Sequence, residues 1–305
     1  MICEQGWEAL RGDTLRWLLD PARPNVVWRA LIELIGRPED SPAVRRARGG
    51  VNAAEPVASL LEELHPDGTW ATDVGTWTRY SGPGWRLVAA VEWGADPGDP
   101  RLHAASERLL DEEPGTGGLA PRNGARPDPR LTARMLSAMV ALGWTRHPRV
   151  QEWLAWFEAT QGWERDPVAA VAVVSASRNG LRPALVERAA TGLESSLAAA
   201  SGGALSRLGH PNLLRTDVAE IMGALAVAGA PWRDEWRPGL ARLQRLQDDQ
   251  GRWRRRVPVP ATLGVPEPAQ PSGFLTLNAT TALLTYAVAA RLPRMFPPKP
   301  AWLDD

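Results

Sequence analysis

Two carboxylates three residues apart, Asp217 and Glu220, stand at the start of an otherwise apolar stretch that runs to Val227. This i, i+3 spacing puts them at neighbouring positions on one helix. In an enclosed site such acids repel, and one of them keeps its proton near neutral pH. A protonated carboxylic acid is what alkene protonation requires. Asp217 is therefore a candidate proton donor, with Glu220 as the neighbour that raises its pKa. The competing reading is an acidic helix N-terminus that suits the helix dipole. His210 precedes Asp217 and either opens a turn with Pro211 or assists the pair.

A second group combines charge with aromatic faces. Asp73, Trp77, Arg79, Tyr80 and Trp85 lead into a helical pattern over 83–94. Such a segment either clamps a ligand at a cavity mouth or packs as a loop anchored by its tryptophans. Arg252, Arg254, Arg255 and Arg256 either receive a diphosphate through charge-assisted hydrogen bonds or form a solvated basic loop. His65, His103, His147 and His210 are scattered, Cys3 is the sole cysteine, and no His-Glu-x-x-His or Gly-x-x-x-x-Gly-Lys pattern occurs. No metal site and no cofactor are expected.

These groups need elements to position them, and the elements repeat. Leu61-Glu62-Glu63-Leu64-His65-Pro66-Asp67-Gly68-Thr69-Trp70 returns as Leu243-Gln244-Arg245-Leu246-Gln247-Asp248-Asp249-Gln250-Gly251-Arg252-Trp253. Weaker echoes fall at Gly117-Gly118-Leu119, Gln161-Gly162-Trp163 and Gly202-Gly203-Ala204-Leu205. The spacing of roughly 40–50 residues is that of a helical-hairpin repeat. One series of helices is predicted over 25–35, 83–94, 130–142, 167–178, 215–229 and 273–290. A second is predicted over 53–64, 100–112, 148–160, 182–199 and 234–248. Asp128-Pro129 and Asp166-Pro167 supply an N-cap followed by proline at the first helical position. Between 215 and 229, Val218, Ile221, Met222 and Leu225 form a bulky stripe that should face the second layer. Asp217, Glu220, Ala224 and Val227 should then look toward the axis.

Six helices against five leave one vacancy, which the helix-like segment 6–19 can fill. A last repeat completed by the opposite chain end closes a ring and removes the apolar ends of an open solenoid. The expected fold is all-α: a single-domain α/α toroid over 1–305, about six hairpins in two concentric layers, closed by the N-terminal helix. Residues 256–272 read as a long Pro-rich loop and 294–305 as a C-terminal tail. The last helix is unusually polar, with Thr276, Asn278, Thr280, Thr281, Thr285 and Tyr286 as interior hydrogen-bonding groups or as partners for the N-terminal segment.

The composition supports a core and restricts the partners. Apolar residues make up 44% of 305 residues, and the formal net charge is zero. General attraction to nucleic acid is therefore not expected. The apolar run near 168–174 is too short to span a bilayer. Without a basic and then apolar N-terminal leader, the expected location is cytoplasmic. Fifteen tryptophans outnumber three phenylalanines and two tyrosines. They serve as wedges between repeats or as an aromatic cavity lining.

The run from Gln247 through Gly251 to Trp253 fits the Gln-x(2–5)-Gly-x-Trp core of the QW motif. Pro66-Asp67-Gly68-Thr69-Trp70 is a variant without the Gln. Leu142-Gly143-Trp144 and Trp93-Gly94-Ala95-Asp96-Pro97 match hairpin turns between paired helices. Over about 25–290 the chain resembles the terpenoid cyclase and protein prenyltransferase superfamily, the squalene-hopene cyclase-like toroids. The resemblance implies structural roles for Gln247, Gly251 and Trp253, with the Gln bonding backbone at a helix end and the Trp stacked beneath. No Asp-x-Asp-Asp, Asp-Asp-x-x-Asp or Asp-x-Cys pattern accompanies it, so it implies a fold and leaves the activity open. Three readings follow: a terpenoid-cyclase-like or isoprenoid-binding protein taking an apolar small molecule, a non-catalytic helical scaffold for a protein partner, and a carbohydrate-active barrel with opposed carboxylates.

Overall fold

Proline opens most of the helices. At the first helical position its fixed φ suits the helix and its missing N–H is one the helix could not have used. In a computed structural model, which describes residues 4–72, 74–112, 117–122, 124–177, 181–198, 204–266 and 268–293, proline begins α2 (Pro24–Glu33), α3 (Pro42–Gly49), α5 (Pro83–Glu92), α6 (Pro100–Glu112), α7 (Pro129–Ala141), α8 (Pro148–Ala159), α9 (Pro167–Ala176) and α10 (Pro183–Gly192). The others are α1 (Thr14–Leu18), α4 (Val57–Glu62), α11 (Glu194–Ala198), α12 (Val218–Val227), α13 (Arg237–Arg245) and α14 (Gly273–Tyr286). Asp128, Asp166, Asp217 and Ser272 cap α7, α9, α12 and α14, their side chains accepting from backbone N–H groups of the first turn. Among the described residues there is no β-strand, so the all-α expectation holds.

The apolar helices pack on one another in a fixed order. α5 lies against α7, α7 against α9, α9 against α12 and α12 against α14. α14 also packs on α2, on α1 and on the short 3-10 helix Glu4–Ala9, which brings the two ends of the described chain together. α9 is buried over Val168–Val174 and Ala176, as expected of a helix that is apolar on all sides. Amphipathic helices pack on this set, α6 on α5, α8 on α7, α10 on α9 and α13 on α12 and α14, and the Arg-rich α3 packs on α2. On α6 the buried positions Leu102, Ala105, Ser106, Leu109 and Leu110 recur at helical spacing, while the intervening residues face solvent.

The repeated turns share one geometry. His65 N–H donates to the Thr69 carbonyl at 2.8 Å, and Asp248 N–H to the Arg252 carbonyl at 2.8 Å. The indole N–H of Trp70 donates to the Leu60 carbonyl, and that of Trp253 to the Leu243 carbonyl, ten residues back in each case. Gly68 and Gly251 both have positive φ, +81° and +73°. Each glycine also abuts a foreign backbone. A Cβ on Gly68 would strike Ala104 and Ala105 of α6, and one on Gly251 would strike Arg11 and Thr14. The N-terminal segment thus stands against the second turn as α6 stands against the first. Gln247 holds it there, donating to the Ala9 carbonyl at 2.9 Å and accepting from Arg11 N–H at 2.8 Å. Thr14 donates to the Gly251 carbonyl at 3.0 Å.

Several boundaries differ from expectation. The 6–19 segment is not one helix: Gly12 at φ +63° lies against the Gln250 backbone, and Asp13 starts α1 anew. α3 was not expected, because its sequence buries only Val44 and shows no apolar stripe. The helix predicted over 53–64 begins after Pro56, and the one over 182–199 is divided at Leu193. Residues 256–266 and 268–272 form an irregular segment with one 3-10 turn, Ala261–Leu263. The 294–305 tail, Cys3 and the Gly202-Gly203 echo lie outside the described residues.

Candidate functional site

A cavity of about 520 Å³ takes lining residues from α2, α5, α7, α9, α12 and α14. Most sit in the C-terminal halves of their helices. Trp28, Ile32, Val88, Val91, Leu142 and Val227 make the apolar wall. On α12 the cavity receives Glu220, Ala224 and Val227, the small and acidic face, while Ile221, Met222 and Leu225 are fully buried away from it. Exposed Glu39, which pairs with Arg48 at 3.6 Å, marks the open side, and Arg48 lies over the Trp28 ring at 4.7 Å.

The polar part of the lining is one connected network. Arg134 of α7 has a side chain that is 1% exposed. Its guanidinium donates to both carboxylate oxygens of Glu220, to Glu92 at 3.2 Å and to the Arg215 carbonyl at 2.6 Å. Burial works against its charge, but Glu220 and Glu92 outweigh burial and hold the Arg134 pKa above its ordinary value. Arg29 of α2 donates to Glu33 at 2.8 Å and to Asn278 Oδ1 at 3.4 Å. A guanidinium in low dielectric needs such partners, since an unpaired buried charge costs several kcal/mol, on the order of 3–5.

His210 joins the two halves of this network. Its ring stacks on Phe274 with centroids 4.4 Å apart, and Arg29 lies over the same Phe274 ring at 5.6 Å. The imidazole is 7% exposed, and its Nε2 has no protein partner. Burial, then the charges of Arg29 and Arg255, push its pKa well below the ordinary value and keep the ring neutral. The loop carrying it is tied to the segment after Trp253, with the Leu208 carbonyl accepting from the N–H groups of Arg256 and Val257.

Asp217 and Glu220 are adjacent, but they point into different surroundings. Asp217 is fully buried and does not line the cavity. Its carboxylate accepts from Gly209 N–H at 2.7 Å, Asn212 Nδ2 at 3.0 Å, Ala219 N–H at 2.9 Å and Glu220 N–H at 3.0 Å. Burial and the Glu220 charge raise its pKa to about 6 against the pull of those hydrogen bonds. Four donors saturate the lone pairs of an ionised carboxylate, which makes Asp217 a cap and loop anchor in geometry. Glu220 reaches the cavity as the partner of Arg134.

The aromatic segment is placed elsewhere. Asp73 lies outside the described residues. Trp77 covers Gly84, where a Cβ would strike its ring. Arg79 donates to the Tyr80 hydroxyl at 3.3 Å, Tyr80 meets the Trp85 ring edge-on at 5.9 Å, and Trp85 is 2% exposed. None of these described side chains lines the cavity, because they lie before α5 or in its first turn, whereas the cavity draws on its C-terminal half. In the polar last helix, Asn278 reaches the cavity, whereas Thr276 accepts from Trp253 N–H at 3.1 Å and Tyr286 donates to the Ala230 carbonyl at 2.9 Å.

Sequence reasoning overlooked Arg134, Arg29, Glu92 and Trp28. For the three charged residues the signal was a charge within an apolar helical pattern, as in Leu131-Thr132-Ala133-Arg134-Met135-Leu136. Among the described residues no group of three His, Cys, Asp or Glu side chains is placed to hold a metal, and no helix is long and apolar enough to cross a membrane. Neither a protein-family model nor a curated protein matches this chain.

Proposed function

We propose that the chain is a closed α/α toroid that binds a small molecule with an apolar body and a polar end in its axial cavity. One observation carries this reading: a single cavity draws side chains from all six apolar helices. About 520 Å³ is within the range of small-molecule pockets, roughly 300–1,000 Å³. The apolar wall suits an isoprenoid-like body, and the network of Arg29, Arg134 and His210 suits the polar end. The arrangement of Gln247, Gly251 and Trp253 supports kinship in fold with the terpenoid cyclase and prenyltransferase superfamily. Their roles are structural.

The geometry favours binding over proton-initiated cyclisation, because the acid first in line, Asp217, is enclosed by four donors and turned away from the cavity. It also disfavours a glycosidase, whose two carboxylates must be free for substrate and water, since Glu33, Glu92 and Glu220 are held by arginines. A docking scaffold would need an exposed apolar patch. Among the described residues only Val74 and Val288 are exposed large hydrophobics.

Mass spectrometry of small molecules extracted from the purified protein tests the reading. An amphipathic molecule should be retained by the wild type and lost in Ala141→Trp, which fills the cavity from α7, with helical content unchanged by circular dichroism. An empty wild type whose melting temperature responds to no prenyl or acyl probe would remove the proposal.

A further inference from the structure

The binding reading above leaves open whether the ligand carries a charge and where that charge would sit. Three arginines line the cavity, and they differ in how firmly they are paired. Arg134 donates to both carboxylate oxygens of Glu220 and to Glu92 at 3.2 Å, and Arg29 donates to Glu33 at 2.8 Å. An anion that took either guanidinium would strand a largely buried carboxylate. The inner network therefore suits a neutral polar group and not a charged one.

Arg48 is paired far more loosely. Its ion pair with Glu39 is 3.6 Å long, beyond hydrogen-bond reach, and the Glu39 side chain is 72% exposed. Once displaced, that carboxylate returns to water with little loss. The Arg48 side chain is itself 25% exposed. Among the described residues its guanidinium makes no hydrogen bond, and only its Nε is enclosed, so the terminal nitrogens stay open at the mouth. The guanidinium lies 4.7 Å over the Trp28 ring, a stacking that positions an arginine without using its donors. Trp28 lines the cavity too, so a chain packed along the indole runs up to this cation.

The element that carries Arg48 fits the same role. α3 buries only Val44, and it holds Arg45, Arg46 and Arg48 with no acid. Arg45 and Arg46 are exposed. This helix contributes little to the core and brings positive charge to the mouth, where it draws in anions. A carboxylate meets a guanidinium edge with two parallel hydrogen bonds and one balancing charge. A diphosphate brings more charge than one arginine balances, in a cavity that Glu33, Glu39, Glu92 and Glu220 also line.

We propose that the cavity takes an apolar carboxylic acid, with the hydrocarbon body inside and the carboxylate at the mouth on Arg48, in place of Glu39. This rests on the binding reading above and sets a charged end at the mouth, not in the inner network.

Isothermal titration of the full chain at neutral pH with farnesoic acid, methyl farnesoate, farnesol and farnesyl diphosphate tests it. The acid should bind about tenfold more tightly than the ester, the alcohol and the diphosphate. Added salt should weaken the acid and leave the ester unchanged. Arg48→Gln should bring the acid down to the affinity of the ester. Glu39→Gln, at an exposed side chain that does not bear on folding, should tighten the acid alone by removing its competitor. An acid that binds no tighter than the ester or the alcohol, an equal loss of acid and ester in Arg48→Gln, or tighter binding of the diphosphate would overturn the inference while leaving the cavity a binding site. Failure of all four probes to bind would remove the binding reading and this inference with it.

Discussion

Arg134 decides whether the polar end of the cavity holds together. Arg134→Met leaves Glu220 and Glu92 without their buried counter-charge, and it should lower unfolding free energy by about 3–5 kcal/mol. Replacing Arg134, Glu92 and Glu220 together by Met, Leu and Leu should cost less than the single change, because no orphaned charge remains. Chemical denaturation of both variants checks the pair of outcomes. Two other groups set a dependence on pH. Asp217 has a folded pKa of about 6 against 3.8 unfolded, so between those values the folded state binds the extra proton, and stability from this group is lost as pH rises. His210 has a folded pKa well below 6.5, so the unfolded state binds the extra proton, and stability is lost as pH falls below 6.5. The two slopes oppose each other between about pH 4 and 6. Asp217→Asn should therefore lose stability relative to the wild type as pH drops through that window, by up to about 1.4 kcal/mol per pH unit, and His210→Gln should gain it. Denaturation midpoints measured at pH 4, 5, 6 and 7 separate them; parallel profiles for the two variants would contradict the assignment. Sequence pattern reached Glu220 and the small face of α12 because both follow helical spacing. It did not reach Arg134, since pairing across α5, α7 and α12 depends on residues more than forty positions apart.

The Gly–Trp turn is the element that repeats, and its second copy carries the join between chain ends. Gly251 has φ +73° and backbone of the N-terminal segment against its α-carbon. The φ alone makes Gly251→Ala cost about 1–2 kcal/mol, and collision with Arg11 adds to it. Gln247→Leu removes an acceptor from Arg11 N–H and a donor from the Ala9 carbonyl, each of which costs about 1–3 kcal/mol if left unsatisfied. Limited proteolysis should find new cleavage near Arg11 and Arg16 in both variants, while the equivalent change at Gly68 should loosen the contact with α6 instead. Cleavage at Arg11 unchanged from wild type would show that the turn does not hold the segment. The helix starts were largely legible because proline and its N-cap act within three residues. Asp128-Pro129 and Asp166-Pro167 open α7 and α9 as their local chemistry requires. α3 was not legible because its Arg-rich sequence offers only Val44 to the core, and its stability comes from packing on α2. The break between Ala9 and α1 was equally hidden, since Gly12 adopts its positive φ against Gln250, which is remote in sequence.

At the scale of the whole molecule, the proposed ring and an open solenoid respond differently to loss of the N-terminal segment. In a solenoid each repeat leans only on its neighbours, so damage at one end decays along the chain. Removing residues 1–22 would then expose α2 and leave α14, at the far end of the sequence, protected. In the ring the same segment covers α14 through the 3-10 helix and α1, and it occupies the turn at Gly251. Its removal also frees Gln244 and Gln247, both of which donate to the Ala9 carbonyl. A loss of about 3 kcal/mol from these contacts corresponds to roughly a hundredfold change in an opening equilibrium. Hydrogen exchange on the truncated chain should therefore accelerate about a hundredfold in both α2 and α14. α7 and α9 pack on each other and make no extensive contact with the segment, so they should keep most of their protection. The cavity should empty at the same time, because Arg29 on α2 and Asn278 on α14 would no longer be held together. Acceleration confined to α2, with α14 unchanged, would mean that the ends touch without closing a ring.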